Sequence, residues 1–423
     1  MRILGLLLFF LFFSSCSSKH KVIQNAKNEI KTLASDEFHG RGYTHHGLQK
    51  TEDYLAKRFQ DLGLIPVYPN YRQKVEYPVN IIHTTDLKIN GQAQIFGWDY
   101  LVGPNSETDK ISSTTFNIPD NLFDFSLEDG RETFKLLSLN QGKIPVLDFR
   151  NATDSLKQRM FSFSNYLDQE KNHYNLPAIV HLHDELIHGA SNHQDNFIHI
   201  FLNQDLPKES LIELSVSADF KDKFLSHNIV GKIKGIENDS SIFILAHFDH
   251  LGQVNETIFP GANDNASGVA MLLSLASYFK KNPPKRDIYF YAMTGEEAGL
   301  KGSLTAVENL PIPKENIRFV LNLDLVGTGE NGIQVVNSRI FQDEFNLMLN
   351  INHYEDLLKQ IKTRGEACNS DHCPFHYLGI PSFSAYTLGG VSHYHNPLDK
   401  PETLTLDEFY DLYILFTQFI EKL

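Results

Sequence analysis

The chain has 423 residues, with 41% hydrophobic and 12% aromatic content, which is ample for a packed core and exceeds the usual size of one domain. Its formal net charge of −14 and pI near 5.7, with no long run of Lys or Arg, exclude nucleic acid and anionic membrane surfaces as electrostatic partners, because both would repel it. Disorder is not expected over most of such a sequence, and no internal repeat or low-complexity tract interrupts it.

At the amino terminus, Arg2 precedes the apolar run Ile3 to Phe13. That run is too short to span a bilayer permanently but has the length of a signal-peptide core, so export is expected. Phe13-Ser14-Ser15-Cys16 then resembles a bacterial lipobox, in which small residues precede the cysteine that becomes the lipidated N-terminus. Residues 1–16 thus read as a signal peptide with lipobox, and Ser17 to Lys21 as a short polar tether. Acyl chains contribute ~0.8 kcal/mol per buried CH₂, so a multiply acylated Cys16 would hold the protein on a membrane in the periplasm or at the cell surface. The alternative is a plain signal peptide, since Phe13 is a less usual first residue of a lipobox.

Residues 22–84 give two amphipathic helices, with Leu48, Leu55, Phe59 and Leu62 on one face of the second and Gly63 as its stop. From 85 to 225 the pattern weakens into an insert with strand-like runs, including Lys143 to Leu147 and Pro177 to Val180. His181 and His183 lie there near Asp184 and are read as surface or locally paired residues.

Residues 226–423 carry the chemistry. Three buried apolar runs each end at acidic or imidazole side chains: Ile242 to Ala246 at His247, Asp287 to Met293 before Glu296 and Glu297, and Phe319 to Leu323 at Asp324. Ligands in open parallel sheets gather outside the carboxyl ends of strands, so the three runs predict one functional rim. Asp264 lies just before a helix whose Val269, Leu272, Leu273, Ala276 and Phe279 recur at helical spacing until Pro283 and Pro284 stop it. His395 follows in the segment Tyr394-His395-Asn396. Cys368 and Cys373 either form a small disulfide or remain as buried thiols, and no zinc-site spacing surrounds them. Thr405-Leu406-Asp407-Glu408 reads as a capping box starting a last helix, with Leu406, Phe409, Tyr413, Phe416 and Ile420 facing the core.

Imidazole and carboxylate ligands suit zinc, and two ions roughly 3.5 to 4 Å apart can share a carboxylate. The expected arrangement is His247 and Asp324 on metal one, Glu297 and His395 on metal two, with Asp264 bridging them. Glu296 cannot easily bind the same ion as its neighbour and is left as general base. Asp249, two residues past His247, is placed to accept the second imidazole N–H. Each short motif taken alone is more often structural or solvated than functional; five in this order are not.

The motifs His247-Phe248-Asp249, Gly261 to Gly268, Gly295-Glu296-Glu297, Asn322-Leu323-Asp324 and His395 to Asp399 resemble those of the dizinc aminopeptidase family that also includes glutamate carboxypeptidases. Leu33 to Arg41 and Leu62 to Pro66 are similar to that family's N-terminal segment, and the weakest match runs from about Thr85 to Lys223, where a degenerate protease-associated lid is expected. The resemblance implies an α/β fold with a mixed, mostly parallel central sheet flanked by helices and an inserted, smaller β-rich domain. It also implies a cis peptide bond at Asp264–Asn265, two zinc ions per chain, peptide substrates, and selectivity for N-termini through binding of the free α-amino group to metal two. Ser370-Asp371-His372 resembles a near-site loop of the family without an assigned role. Three other readings stay open: a single-zinc glutaminyl cyclase, a carboxypeptidase using Arg339 or Arg364 for the substrate carboxylate, and a binding protein on a dead peptidase scaffold, which would normally have lost ligands.

Overall fold

The computed structural model describes residues 19–123, 130–237, 240–390 and 393–423. The expected signal peptide and Cys16 lie outside the described residues. Among these residues no helix is long and apolar enough to cross a membrane.

The described residues fall into two compact units, one comprising those within 19–77, 225–252 and 259–423, the other those within 78–224 and 253–258. The first unit is built on a sheet whose order is Ile361–Thr363, Ile333–Val336, Ser382–Thr387, Ile317–Leu323, Ser241–His247, Asp287–Met293 and the Ile229 to Ile233 end of the long strand Leu211–Ile233. The middle is parallel: Ser241–His247 pairs in parallel with Asp287–Met293 on one side and Ile317–Leu323 on the other, and Ile317–Leu323 continues in parallel to Ser382–Thr387. The outer strands Ile333–Val336 and Leu211–Ile233 join antiparallel. A parallel strand is covered on both faces and must be apolar throughout, and all seven residues of Ser241–His247 are buried accordingly. Phe243 and Leu245 pack on one face with Tyr289, Tyr291, Met293, Val320 and Phe375. Helix Gly268–Lys281 and the C-terminal helix Phe409–Lys422 belong to the same unit, and Phe419 meets Phe319 and Phe383 ring to ring.

Both N-terminal helices are present, over 19–33 and Gly47–Asp61. Leu48, Leu55 and Phe59 are buried, and Gly63 ends the second helix at φ +70°, with Leu64 N–H reaching back to the Phe59 carbonyl. The expected capping box at 405–408 does not form. Leu406 takes a left-handed φ of 54°, is buried, and donates its N–H to the Gly327 carbonyl, so the helix starts only at Phe409. Thr405 Oγ1 is spent on Glu330 Oε1 at 3.3 Å, where it can satisfy no helix N–H.

The second unit is itself α/β. Asp109–Asn117, Ile144–Asp148, Ala178–Leu182 and Ile198–Leu202 run parallel in that order, and Tyr100–Val102 closes the edge antiparallel. Helices Gly130–Leu139 and Asp154–Tyr174 lie in the same unit; Leu137, Met160, Phe163 and Leu167 bury themselves with Phe116, Leu147, Phe149 and Ile179. His181 is buried rather than at the surface, because it sits inside the strand Ala178–Leu182, and its Nε2 lies 3.0 Å from His199 Nδ1.

Candidate metal centre and active site

Strand register brings the acidic and imidazole groups to one rim. His247 stands opposite Met293 at the end of the central pair, Glu296 and Glu297 follow three and four residues later, and Asp324 follows Leu323 on the other neighbour. Asp264 enters from the segment before helix Gly268–Lys281, and the Asp264–Asn265 bond is cis.

This segment is tied down from several directions. Asp399 accepts the N–H groups of Asn263 (2.8 Å) and Asp264 (3.0 Å). Asn265 donates to the Leu323 carbonyl and accepts from Gly268 N–H and Leu325 N–H, which locks the loop to the strand end that carries Asp324. Glycine is required at Gly261, which adopts φ +58° and would place a Cβ 2.2 Å from the Asp264 carbonyl oxygen. Gly268 is required by close approach, since its Cβ would meet Asn265 Oδ1 at 2.3 Å.

Arg41 completes the scaffold. Its guanidinium is fully buried and donates to the carbonyls of Phe248 (2.8 Å), Leu33 (3.0 Å), Pro260 (2.6 Å), Gly261 (2.7 Å) and Asp264 (3.1 Å). One side chain therefore staples the N-terminal helix, the turn after His247 and both sides of the Asp264 loop. Burial drags its pKa down to about 10 despite Asp399, Asp264 and Asp249 nearby.

Around Asp264 the donor atoms fall into two sets. Oδ1 of Asp264 lies 3.4 Å from His247 Nε2, which is 3.5 Å from Asp324 Oδ1. Oδ2 of the same carboxylate lies 3.2 Å from His395 Nε2, which is 3.2 Å from Glu297 Oε2. Zinc–nitrogen and zinc–oxygen bonds of roughly 2.0–2.1 Å in a tetrahedral site put ligand atoms about 3.3 Å apart. The four distances match those edges, and the donor chemistry suits zinc. All five residues anticipated as ligands converge, and His395 does so with a left-handed φ of 54°.

The electrostatics of the cluster call for positive charge at its centre. Burial alone would lower the pKa of His247, but Glu296, Asp264 and Asp324 hold it well above the ordinary imidazole value. His395 is likewise pushed up to about 11, with Glu297 and Asp264 overcoming burial. Glu297 is held down to about 2, because His395 and His250 outweigh its burial, and Asp264 is lowered by His247 first and then by His395 and His250. Protons on imidazole or metal cations would satisfy this demand.

Glu296 differs from its neighbour. It is buried in a like-charged setting, so its pKa is raised well above the carboxylate range by burial first and by Glu297 next. It groups with His247 and Asp324 and lines a cavity of about 280 Å³ together with His247, Asp264, Asp324, Asn369 and Arg364.

Three features of the site, at Asp249, His250 and Ser370, were absent from the sequence expectations. Asp249 does not chiefly hold His247 by its carboxylate: His247 Nδ1 is 3.2 Å from the Asp249 main-chain oxygen and 3.9 Å from Oδ1. The carboxylate instead accepts the N–H groups of Glu296 (3.1 Å) and Glu297 (3.3 Å), and burial raises its pKa to about 7. His250 donates from Nδ1 to Glu297 Oε1 at 2.8 Å, leaving Oε2 for the His395 side. Ser370 accepts from Asn322 Nδ2 and donates to Asp324 Oδ2, both at 2.8 Å, so Oδ1 is the atom turned to His247. Of the two alternatives left open for Cys368 and Cys373, the disulfide is the one that forms, and it closes the loop around Ser370. Adjacency to a motif was the one signal for His250, while Ser370 had no signal beyond its resemblance to a near-site loop.

An open, mostly parallel α/β sheet whose strand ends gather two imidazole and carboxylate donor sets is an arrangement able to hold metal ions. Residues 228–419 match the model of Peptidase family M28. Aminopeptidase YwaD of Bacillus subtilis (strain 168) is 33% identical over 192 residues, covering 43% of this chain and 41% of that protein. A probable zinc metalloprotease of Pyrenophora tritici-repentis is 36% identical over 113 residues, 25% of this chain and 23% of that protein. The chain thus spans less than half the length of these curated relatives in the matched regions. Among solved structures, a zinc aminopeptidase from Bacillus subtilis superimposes with a TM-score of 0.68 at 19% identity over 94% of both chains. A Peptidase M28 precursor from Shewanella amazonensis SB2B gives 0.69 at 18% identity over 96% and 95%. Those two likenesses establish the fold.

Proposed function

We propose that this chain is an exported dizinc aminopeptidase that hydrolyses the first peptide bond of its substrates and is held to a membrane through lipidated Cys16. The observation that carries the reading is the two-sided use of Asp264, whose oxygens face two separate histidine–carboxylate sets. In this reading His247 and Asp324 hold one ion, Glu297 and His395 the other, and Asp264 both. The bound ions would supply Lewis acidity toward the scissile carbonyl and would acidify water.

Glu296 is then the general base. Burial and the neighbouring carboxylates raise its affinity for a proton above that of an ordinary carboxylate, which suits a group that, starting ionised, takes a proton from the attacking water and returns it to the leaving amine. Asp249 acts indirectly, holding the backbone of Glu296 and Glu297 by accepting both N–H groups. Exopeptidase polarity rests on the resemblance of the motifs to those of the dizinc aminopeptidases. Export and lipidation rest on the sequence of residues 1–16 alone.

Metal analysis joined to a panel of aminoacyl chromogenic substrates, with and without chelator, tests this reading. Two zinc ions per chain and chelator-sensitive release of unblocked N-terminal residues are expected. One ion per chain at saturating zinc would favour the cyclase, and cleavage of N-blocked peptides from the carboxyl end would favour the carboxypeptidase. Absence of zinc uptake would remove the reading altogether.

A further inference from the structure

We infer that Arg364 makes the active-site cavity selective for substrates bearing a carboxylate close to the scissile bond; this rests on the aminopeptidase reading. The cavity is lined by the acidic groups Asp264, Glu296 and Asp324 at one end, and Arg364 is the cation on its wall. Arg364 is only partly buried, and among the described residues it takes part in no ion pair. A guanidinium offers five N–H donors in a planar fork that matches a carboxylate. One of them, on Nη1, goes to the neutral Tyr386 hydroxyl at 2.8 Å, and the hydroxyl itself donates to Gln334 Oε1 at 2.6 Å.

The cation is also held in place. Arg364 N–H is received by the Val335 carbonyl and by Ser338 Oγ, and the Arg364 carbonyl accepts from Ser338 Oγ and from Arg339 N–H. The residue therefore follows the edge strand Ile361–Thr363 on a fixed backbone, and the Tyr386–Gln334 relay orients its side chain. Tyr386 also lines the cavity and lies under the guanidinium, 5.9 Å from ring centre to Cζ. Such pre-organisation lowers the ordering cost of binding an anion. Arg339, the other arginine weighed from the sequence, does not line this cavity.

A carboxylate that reaches Arg364 within this cavity could be the C-terminal α-carboxylate of a dipeptide or tripeptide, or the side chain of an acidic residue next to the cleaved bond. Paired substrates separate the two. Leu-Gly against Leu-Gly-amide reads the α-carboxylate, and glutamyl against glutaminyl 4-nitroanilide reads the side chain, each as a ratio of kcat/KM that is insensitive to the active fraction. At least one ratio should exceed about 10 in the unaltered zinc-loaded protein, the range of a hydrogen bond to a charged group. Arg364→Gln should collapse that ratio toward 1, Arg364→Lys should restore part of it, and Tyr386→Phe, which keeps the charge but frees it, should lower it severalfold. Ratios below about 3 in the unaltered protein, or a ratio unmoved by Arg364→Gln, overturn the inference. If no aminoacyl substrate is cleaved, the aminopeptidase reading fails instead. The carboxylate preference is then read by calorimetric titration with Leu-Gly, its amide, free glutamate and glutamine, and equal affinities within each pair overturn it there.

Discussion

Replacing Arg41 with Met tests how the active-site loops are held. The substitution keeps much of the side chain's apolar length but removes a buried guanidinium and its five hydrogen bonds to main-chain carbonyls. A hydrogen bond to a charged group contributes about 1.5–3 kcal/mol, and an orphaned buried acceptor costs about 1–3 kcal/mol. Loss of the buried charge offsets part of this, as its depressed pKa of about 10 attests. A net destabilisation of about 3–5 kcal/mol follows, at the high end for a single substitution. Three of the five carbonyls, those of Pro260, Gly261 and Asp264, belong to the loop carrying the bridging carboxylate. The folded fraction should therefore also bind zinc more weakly. Denaturant unfolding, with zinc content measured on the folded protein, checks both effects. A variant within about 1 kcal/mol of the parent that still retains two ions would refute the claim that Arg41 staples the site.

Glu296→Gln should fold, keep its metal and lose turnover by roughly 10² to 10⁴, whereas Glu297→Ala should lose metal; kinetics with metal analysis would show an exchange of roles if the two outcomes were swapped. Asp264→Ala should release both ions and His395→Ala mainly one, and a retained pair of ions in Asp264→Ala would contradict the bridging role. Ser370→Ala frees Asp324 Oδ2, and roughly a 10- to 100-fold loss of metal affinity is expected in equilibrium competition with a chelator, as for other partners of metal ligands. Burial lowers the pKa of His372 to about 4, with His376 and Arg364 adding to the effect. Its folded value lies below the unfolded value of about 6.5, so its contribution to stability is complete above about pH 6.5. As pH falls toward 4 that contribution, of about 3 kcal/mol, should disappear, and His372→Gln should flatten this part of a pH series of unfolding free energies.

Residues that act at the end of a regular element were legible in the sequence. His247, Glu297 and Asp324 each follow an apolar run long enough to be a buried strand, and hydrophobic period alone put them on a common rim. Asp264 was placed by the helix that follows it. Residues that act through the backbone were not legible. Arg41 binds carbonyls up to 223 positions away, and a carbonyl has no residue type to mark it. Asp249 showed the same difficulty, since its partners are two N–H groups rather than the imidazole beside it in sequence. The capping box failed for a related reason: the local pattern Thr405 to Glu408 competes with burial of Leu406, and burial of a leucine contributes more than a cap.

The proposed metal donors and the proposed selective wall of the cavity arise from different parts of one sheet. His247, Glu296, Glu297 and Asp324 follow the three central parallel strands, whereas Arg364 and Tyr386 belong to the strands toward the far edge. Strand pairing at the centre acts as a ruler that cannot slip without turning every donor away. The edge bears no such burden. Exchanging Arg364 and Tyr386 alone would retune which peptides are accepted while leaving the proposed hydrolytic apparatus in register, so reactivity and preference could change independently of each other.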